Sequence, residues 1–384
     1  MLTVLFFIVL TPVMADIQEA DVQYMDSVEI SLLTCEPHDE IYSLYGHTAI
    51  RYHDLHPGGI DATFNYGVFN FKTPHFALRF VFGRTDYELG AYPYRLFLKE
   101  YEHFGSEVTE QVLNLTSEEK MQLRLLLAEN MLPENTVYRY NYFYNNCTTK
   151  ARDIIEKCIN GRIEYAENKA DTKSYREMVR EMTKEHPWAA FGNDLLLGVN
   201  ADKGTTLRQQ EFLPHNLMRD FDHAQIITNG QSRPLVKTRR IALPAGTKIQ
   251  QEGFPVSPFA CGVILTVIGF IICCFEYRRL RAFRWWDVLL MVATGSIGII
   301  LFLMLFSLHP TVSLNLMFIL FNPLPWFFLW PVIKRRKTRY WTITAYLAVL
   351  FIIFGFIQDY PEGVWSLALC LLLQCYIHLK RVSQ

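Results

Sequence analysis

The chain has 384 residues, 51% of them hydrophobic, with 37 Lys and Arg against 38 Asp and Glu and a formal net charge of −1. That balance gives no electrostatic support to nucleic-acid binding. The length accommodates more than one domain, and the apolar residues gather toward the two ends.

The first apolar run, Leu2 to Ala15, is followed by Asp16-Ile17-Gln18-Glu19. It is shorter than the about twenty residues a spanning helix needs. Residues 1–15 therefore read as a signal peptide with Val13-Met14-Ala15 as the cleavage site, although the basic n-region is missing. An uncleaved N-terminal anchor is the alternative.

Residues 16–256 have ordinary globular composition and suit one exported α/β or α+β domain. Apolar alternation predicts strands near 27–34, from Thr48 to Tyr52, from Ala62 to Tyr66, and around 107–113 and 137–143. A helix or turn is expected near 39–45, and helical patterns cover 93–103 and 117–130. The second of these opens on the capping sequence Thr116-Ser117-Glu118-Glu119. A further helix begins at Cys147, after the aromatic run Tyr138 to Tyr144, with Asn145 or Asn146 as its N-cap. Residues 230–256, punctuated by Pro and Gly, read as strand and linker.

From Pro258 the chain changes character, and residues 257–384 form a membrane domain. Five apolar segments lie at roughly 257–275, 286–307, 314–333, 341–357 and 362–379. The first and third loops carry Arg278, Arg279, Arg281 and Arg284, and Lys334 to Lys337 with Arg339, whereas the second and fourth loops lack Lys and Arg. The basic loops therefore face the cytoplasm and residues 16 to about 255 lie outside it. An exported N-terminus gives the same orientation.

Five of the eight cysteines, Cys261, Cys273, Cys274, Cys370 and Cys375, belong to apolar segments. Cys35, Cys147 and Cys158 remain in the exported part, an odd number that permits one bridge and one free thiol. The expectation is Cys35 bonded to Cys158 with Cys147 free. A thiol in the first turn of a helix meets unpaired N–H groups and the positive end of the helix dipole, which favour thiolate. The bland alternative is a small buried hydrophobe.

A nucleophilic Cys147 needs a base, and the best placed is His47 in Tyr45-Gly46-His47-Thr48-Ala49-Ile50-Arg51. A third polar group would hold its tautomer, with Asn65 in Phe64-Asn65-Tyr66-Gly67 as first choice and Asp61 as the alternative. His53 and His56 could pair with His47 on a metal, but no Cys or His spacing matches a zinc pattern. Neither a metal nor a cofactor is expected. Asp194 to Gly198 with Asp202 reads as an ordered turn or a helix end. In the membrane part, His309-Pro310 and Asn322-Pro323 are polar interruptions near the outer side, placed to border a lipid-entry path.

Leu33-Thr34-Cys35, the Tyr45 to Arg51 strand, Phe64 to Gly67 and Tyr142 to Thr149 resemble the exported domain of Lnb, the lipoprotein N-acyltransferase of Bacteroidota. The resemblance extends to the helical C-terminal part through His309-Pro310 and Asn322-Pro323. It implies an α+β fold, a circularly permuted papain-like or NlpC/P60-like domain in which His precedes Cys, followed by about five transmembrane helices. Lecithin:retinol acyltransferase relatives share that order and carry acyl groups as thioesters. By this resemblance Cys147 is the nucleophile, His47 the base and Asn65 the third residue. Tyr45, Tyr66, Asn146, His309 and Asn322 are the residues expected to meet substrate.

The function expected is transfer of a fatty acyl chain from a phospholipid, through a Cys147 thioester, to the N-terminal amine of a diacylglyceryl-cysteine lipoprotein. The partners are then a phospholipid donor, a lipoprotein acceptor and the inner membrane, with the N-terminal domain in the periplasm. Two other readings stand beside it. One is an exported Cys/His hydrolase acting on murein or lipid, and the other is an envelope binding module whose Cys is structural.

Overall fold

The computed structural model describes residues 19–69, 74–75, 78–79, 82–166, 172–249, 253–279 and 281–382, so the signal segment at 1–15 lies outside the described residues. The chain divides into two compact units. The first comprises Met1–Thr73, Thr85–Ala170 and Leu207–Gln250, and the second Pro74–Arg84, Asp171–Thr206 and Gln251–Gln384.

In the first unit ten strands are described: β1 (Val28–Cys35), β2 (His47–Asp54), β3 (Asp61–Val68), β4 (Asp86–Pro93), β5 (Val108–Leu113), β6 (Val137–Arg139), β7 (Arg162–Glu164), β8 (Gln225–Thr228), β9 (Gln231–Pro234) and β10 (Val236–Leu243). Seven form an antiparallel sheet in the order β10-β5-β1-β2-β3-β4-β6, and β7, β8 and β9 form a second, smaller sheet. The helices of this unit include α1 (Glu19–Tyr24), α2 (Tyr94–Phe104), α3 (Ser117–Asn130) and α4 (Cys147–Cys158). After α5 (Tyr175–Met182) and α6 (Pro187–Leu196), both in the second unit, α7 (Pro214–His223) returns to the first.

The period of two in β1 and β2 sorts their side chains into two cores. Ile30, Leu32, Ile50 and Tyr52 join Leu123, Leu127, Ile154, Ile155 and Phe221 from α3, α4 and α7. Leu33, Cys35 and Ala49 point the other way and pack with Phe97 and Tyr101 of α2. Each fully buried aliphatic side chain contributes roughly 1.5–3 kcal/mol. Because both faces of β1 and β2 are covered, the register Cys35 opposite His47 is fixed from both sides.

Two sequence expectations are corrected here. The strand expected at 137–143 pairs only over Val137–Arg139. Beyond it the Asn141 Oδ1 accepts the N–H groups of Phe143 and Tyr144, closing an Asx-type turn that takes the chain out of the ladder. The expected Cys35–Cys158 bridge is absent: both thiols are free and buried, one in the core beside α2 and the other in the core beside α3 and α4.

The second unit joins α5 and α6 to five C-terminal helices, α8 (Pro258–Arg279), α9 (Arg284–Met304), α10 (Leu324–Ile333), α11 (Tyr340–Phe354) and α12 (Val364–Val382). By length and composition α8, α9 and the stretch Leu316–Ile333 can cross a membrane, while α11 and α12 are shorter apolar helices. The third span is broken. A 3-10 turn at Leu316–Ile319 precedes Asn322-Pro323, where Pro has no N–H to continue a helix and the Asn322 Oδ1 accepts the Leu324 N–H to start α10.

The segment 172–206 is bound to the turns between these helices. Gly198 N–H donates to Thr311 O at 2.8 Å, Val199 N–H to Leu314 O at 2.8 Å, and the Gln358 amide to Leu197 O at 3.1 Å. These turns are the loops without Lys or Arg, so an exported segment meets the outer ends of the helices. Arg176, wholly buried, holds the segment together: its guanidinium pairs with Asp194 and Asp202 and donates to the carbonyls of Asp194 and Leu197. Asp194 and Asp202 thus serve as structural counter-ions. Replacing Arg176 by Met leaves a buried carboxylate and carbonyls uncompensated and is expected to cost about 3–5 kcal/mol. Thermal unfolding of the full-length protein in detergent measures it, and an unchanged midpoint would contradict the assignment.

Candidate active site

The start of α4 is fixed before any chemistry is considered. Asn146 caps the helix with its Oδ1 accepting the N–H groups of Thr148 and Thr149 at 3.0 and 2.9 Å, while its own N–H donates to Thr149 Oγ1. Its Nδ2 donates to the carbonyls of Tyr142 and Phe212. The Lys150 N–H goes to Asn146 O. Cys147 follows the cap, and its own N–H has no partner among the described residues.

His47 opens β2 after Gly46, whose φ of +77° puts it in the left-handed region. A Cβ at Gly46 would stand 2.7 Å from Cys35 O, so the close approach of β1 also demands glycine there. On β3, Asn65 reaches the same ring: its Oδ1 lies 2.7 Å from His47 Nε2. An amide oxygen only accepts, so Nε2 carries the proton and the lone pair of the neutral ring is left on Nδ1.

His47, Asn65 and Cys147 meet around Gly67. A Cβ built there would lie 3.3 Å from His47 Cε1 and 3.7 Å from both Asn65 Oδ1 and Cys147 Cβ, and Gly67 itself has φ +145°. The Cys147 sulfur interacts with His47 and the Thr48 N–H, and sits 3.8 Å from Thr148 Oγ1. Thr48 and Thr148, both wholly buried, join strand to helix through their hydroxyls at 3.1 Å.

Burial opposes ionisation of the Cys147 thiol, but the His47 charge and hydrogen bond outweigh it, with help from Thr48 and Thr148, and bring its pKa down to about 7. Burial also opposes protonation of His47. There the Cys147 charge, and hydrogen bonds to Cys147 and Asn65, prevail and the imidazole pKa rises above its ordinary value. The two shifts agree on a thiolate–imidazolium pair near neutral pH. Around it, burial and then the thiolate charge hold the phenols of Tyr87, Tyr138 and Tyr140 protonated.

The structure thus brings Cys147, His47 and Asn65 together. Asp61, the alternative to Asn65, is taken by Arg51 in a two-pronged ion pair at 2.8 Å on each arm. His56 is also taken, by Asp54 at 2.7 Å. Two residues expected to meet substrate are engaged within the fold. Tyr66 is a core residue, 2% exposed, whose hydroxyl accepts a hydrogen bond from Asn130, and every polar position of the Asn146 carboxamide is spent within the fold. Tyr45 is half-buried, its ring edge-on to Tyr142 at 4.8 Å. His309 and Asn322 belong to the second unit. Gly67, Thr48 and Thr148 stand in the motifs quoted from the sequence but had no role read for them, although a glycine inside a strand pattern signals close approach of another group.

Residues 19–181 match the Lnb N-terminal periplasmic domain and residues 249–384 match the Lnb transmembrane domain. The chain belongs to the Lnb family. No curated protein and no solved structure matches it. As an Lnb-family member it is an inner-membrane protein with a periplasmic N-terminal domain, and its two domains fit a membrane enzyme that modifies lipoproteins. The matched periplasmic region contains the Cys147, His47 and Asn65 cluster, and Phe212, which receives the Asn146 amide, lies outside both matched regions.

Two outcomes follow for the Lnb site. The ultraviolet absorbance of the Cys147 thiolate should appear with a midpoint near pH 7 and move toward the ordinary thiol value of 9.0 in His47→Ala. The sign is that of a depressed acid: thiolate is present above pH 7 in the wild type and absent there without the imidazolium. Gly67→Ala should leave the protein folded yet push His47 off Cys147, raising the same midpoint, and an unshifted titration would deny Gly67 its role.

Proposed function

We propose that the protein is a lipoprotein N-acyltransferase in which Cys147 carries the acyl group as a thioester. The observation that supports it best is the Cys147 sulfur against a His47 whose tautomer Asn65 fixes, an arrangement that lowers the thiol pKa, in a periplasmic domain joined to membrane helices. A thiolate at a helix start, beside an amide N–H with no other partner, has a nucleophile and an oxyanion donor on one residue.

In the first half-reaction the Cys147 sulfur attacks the carbonyl carbon of a phospholipid ester, forming a C–S bond. The negative charge passes to the carbonyl oxygen, where the Cys147 N–H can receive it. The C–O bond then breaks, His47 gives the leaving alkoxide its proton, and lysophospholipid departs. In the second half-reaction the α-amine of a diacylglyceryl-cysteine lipoprotein attacks the thioester. His47 takes the amine proton, the C–S bond breaks, and the amide product leaves with the Cys147 thiolate restored. Asn65 keeps Nε2 protonated throughout, so the other ring nitrogen is the one that exchanges the proton. Tyr45 and the Tyr87, Tyr138 and Tyr140 rings offer apolar surface against which an acyl chain can lie.

This chemistry depends on the thiolate and predicts a steep loss without it. Cys147→Ala should abolish N-acylation, and His47→Ala should lower it by roughly 10²-fold to 10⁴-fold. Mass spectrometry of lipoproteins from cells lacking their own N-acylation enzyme reads both, and triacylated products from Cys147→Ala would sink the assignment. Incubation of the full-length protein with phospholipid alone, without an acceptor amine, should leave Cys147 heavier by one acyl group. Free fatty acid accumulating instead would favour the hydrolase reading.

A further inference from the structure

At the ends of the C-terminal helices opposite the turns that hold segment 172–206 lies a cavity of about 480 Å³. Six cations line it: Arg281, Arg284, Arg335, Arg336, Lys337 and Arg339. Its one lining carboxylate, Asp287, is 3% exposed and already accepts from Gln374 Nε2 at 2.7 Å and faces His378 Nε2 at 2.9 Å. His378 in turn stacks on Trp341, with ring centroids 4.4 Å apart. Arg284 donates to Ile333 O, and among the described residues none of the other five cations forms an ion pair.

We infer that this cavity binds the phosphodiester head group of an anionic phospholipid in the cytoplasmic leaflet. The positive-inside rule accounts for the sign of the loops, but not for their convergence. Residues from the α8–α9 loop, the α10–α11 loop and α12 close around one space, and their positive charge is left uncompensated by the protein. Arg335 adds a second observation: it holds φ +55°, a left-handed conformation that glycine adopts at little cost and arginine does not. Just after α10 that turn directs the chain so that five successive cationic or polar residues, Arg335 to Arg339, line the cavity.

The surroundings select a lipid over a soluble anion. Trp285 and Trp330, 59% and 62% exposed, flank the same helix ends, as aromatic residues do at the level of lipid head groups. Leu289 and Phe327, one turn deeper on α9 and α10, are 47% and 77% exposed and offer apolar surface for the chains. Basic pockets between helices on the cytoplasmic side are suited to head groups of this kind. The site is independent of the acyl-transfer chemistry, which lies in the periplasmic domain.

The test is thermal unfolding of the full-length protein in a neutral detergent with phosphatidylglycerol, phosphatidylcholine or sn-glycerol 3-phosphate added at equal concentration. Phosphatidylglycerol should raise the midpoint by ~2–4 °C, less at high salt, and the other two should not. The double variant Arg336→Gln/Arg339→Gln should lose that rise. Arg335→Gly, which relieves the left-handed strain and so keeps the fold, should unfold no lower than wild type without lipid and respond less to phosphatidylglycerol. An equal rise with phosphatidylcholine would overturn the head-group assignment, and an equal rise with glycerol phosphate would make it a soluble-anion site. A full response in both variants would remove the cavity from the account.

Discussion

The carboxamide of Asn146 makes four hydrogen bonds, two inside α4, one to the aromatic turn at Tyr142 and one to Phe212, 66 residues further on. The placement of Cys147 beside His47 depends on that saturation. A helix start that could fray or tilt would move the sulfur of Cys147 relative to a ring held by two strands. Saturated on all sides, the cap turns α4 into a rigid mount, and the Thr48 to Thr148 contact fastens that mount to β2. Each hydrogen bond of the Asn146 carboxamide is thus made within the fold, at the residue next to Cys147.

The site shows how burial is made to favour a charge. Left alone, burial would raise the thiol and lower the imidazole, leaving both neutral and unreactive. Placing them together reverses both tendencies at once, because each ion supplies the counter-charge that the other has lost with solvent. Asn65 adds direction by occupying Nε2. The same logic recurs in the second unit, where Arg176 and its carboxylates are tolerated out of water only because each answers another.

The central strands, the helices at 94–104 and 117–130 and the start of α4 were legible because strong periodicity, a capping box and a cap residue mark them locally. The pair of His47 and Cys147 was legible from residue type and local context. What escaped were relations between distant segments. β4 presents Glu, Gly and Pro among its residues and takes its identity from pairing with β3. The segment 172–206 has exported composition yet is built into the membrane-helix unit, a fact carried by the Arg176 network and by backbone bonds to residues beyond 310. Gly67 was read as part of a motif, while its purpose, the empty volume where three side chains meet, exists only once β3 and α4 are assembled. The disulfide failed for the same reason, since counting thiols says nothing about which face of the sheet each one occupies.

The sealing of Cys35 and Cys158 in separate cores has a consequence for life in an oxidising compartment. Within this unit Cys35 and Cys158 are buried and Cys147 is half-buried, and Cys147 is the one whose pKa His47 brings down. Peroxide reacts with the same form of sulfur that attacks an ester. A neighbouring thiol could rescue a sulfenic acid as a disulfide, but both candidates are packed away behind hydrophobic side chains. The acidity that the His47 pairing gives Cys147 thus also marks it as the point in this unit where oxidative stress strikes first, with no second thiol beside it to take the damage back.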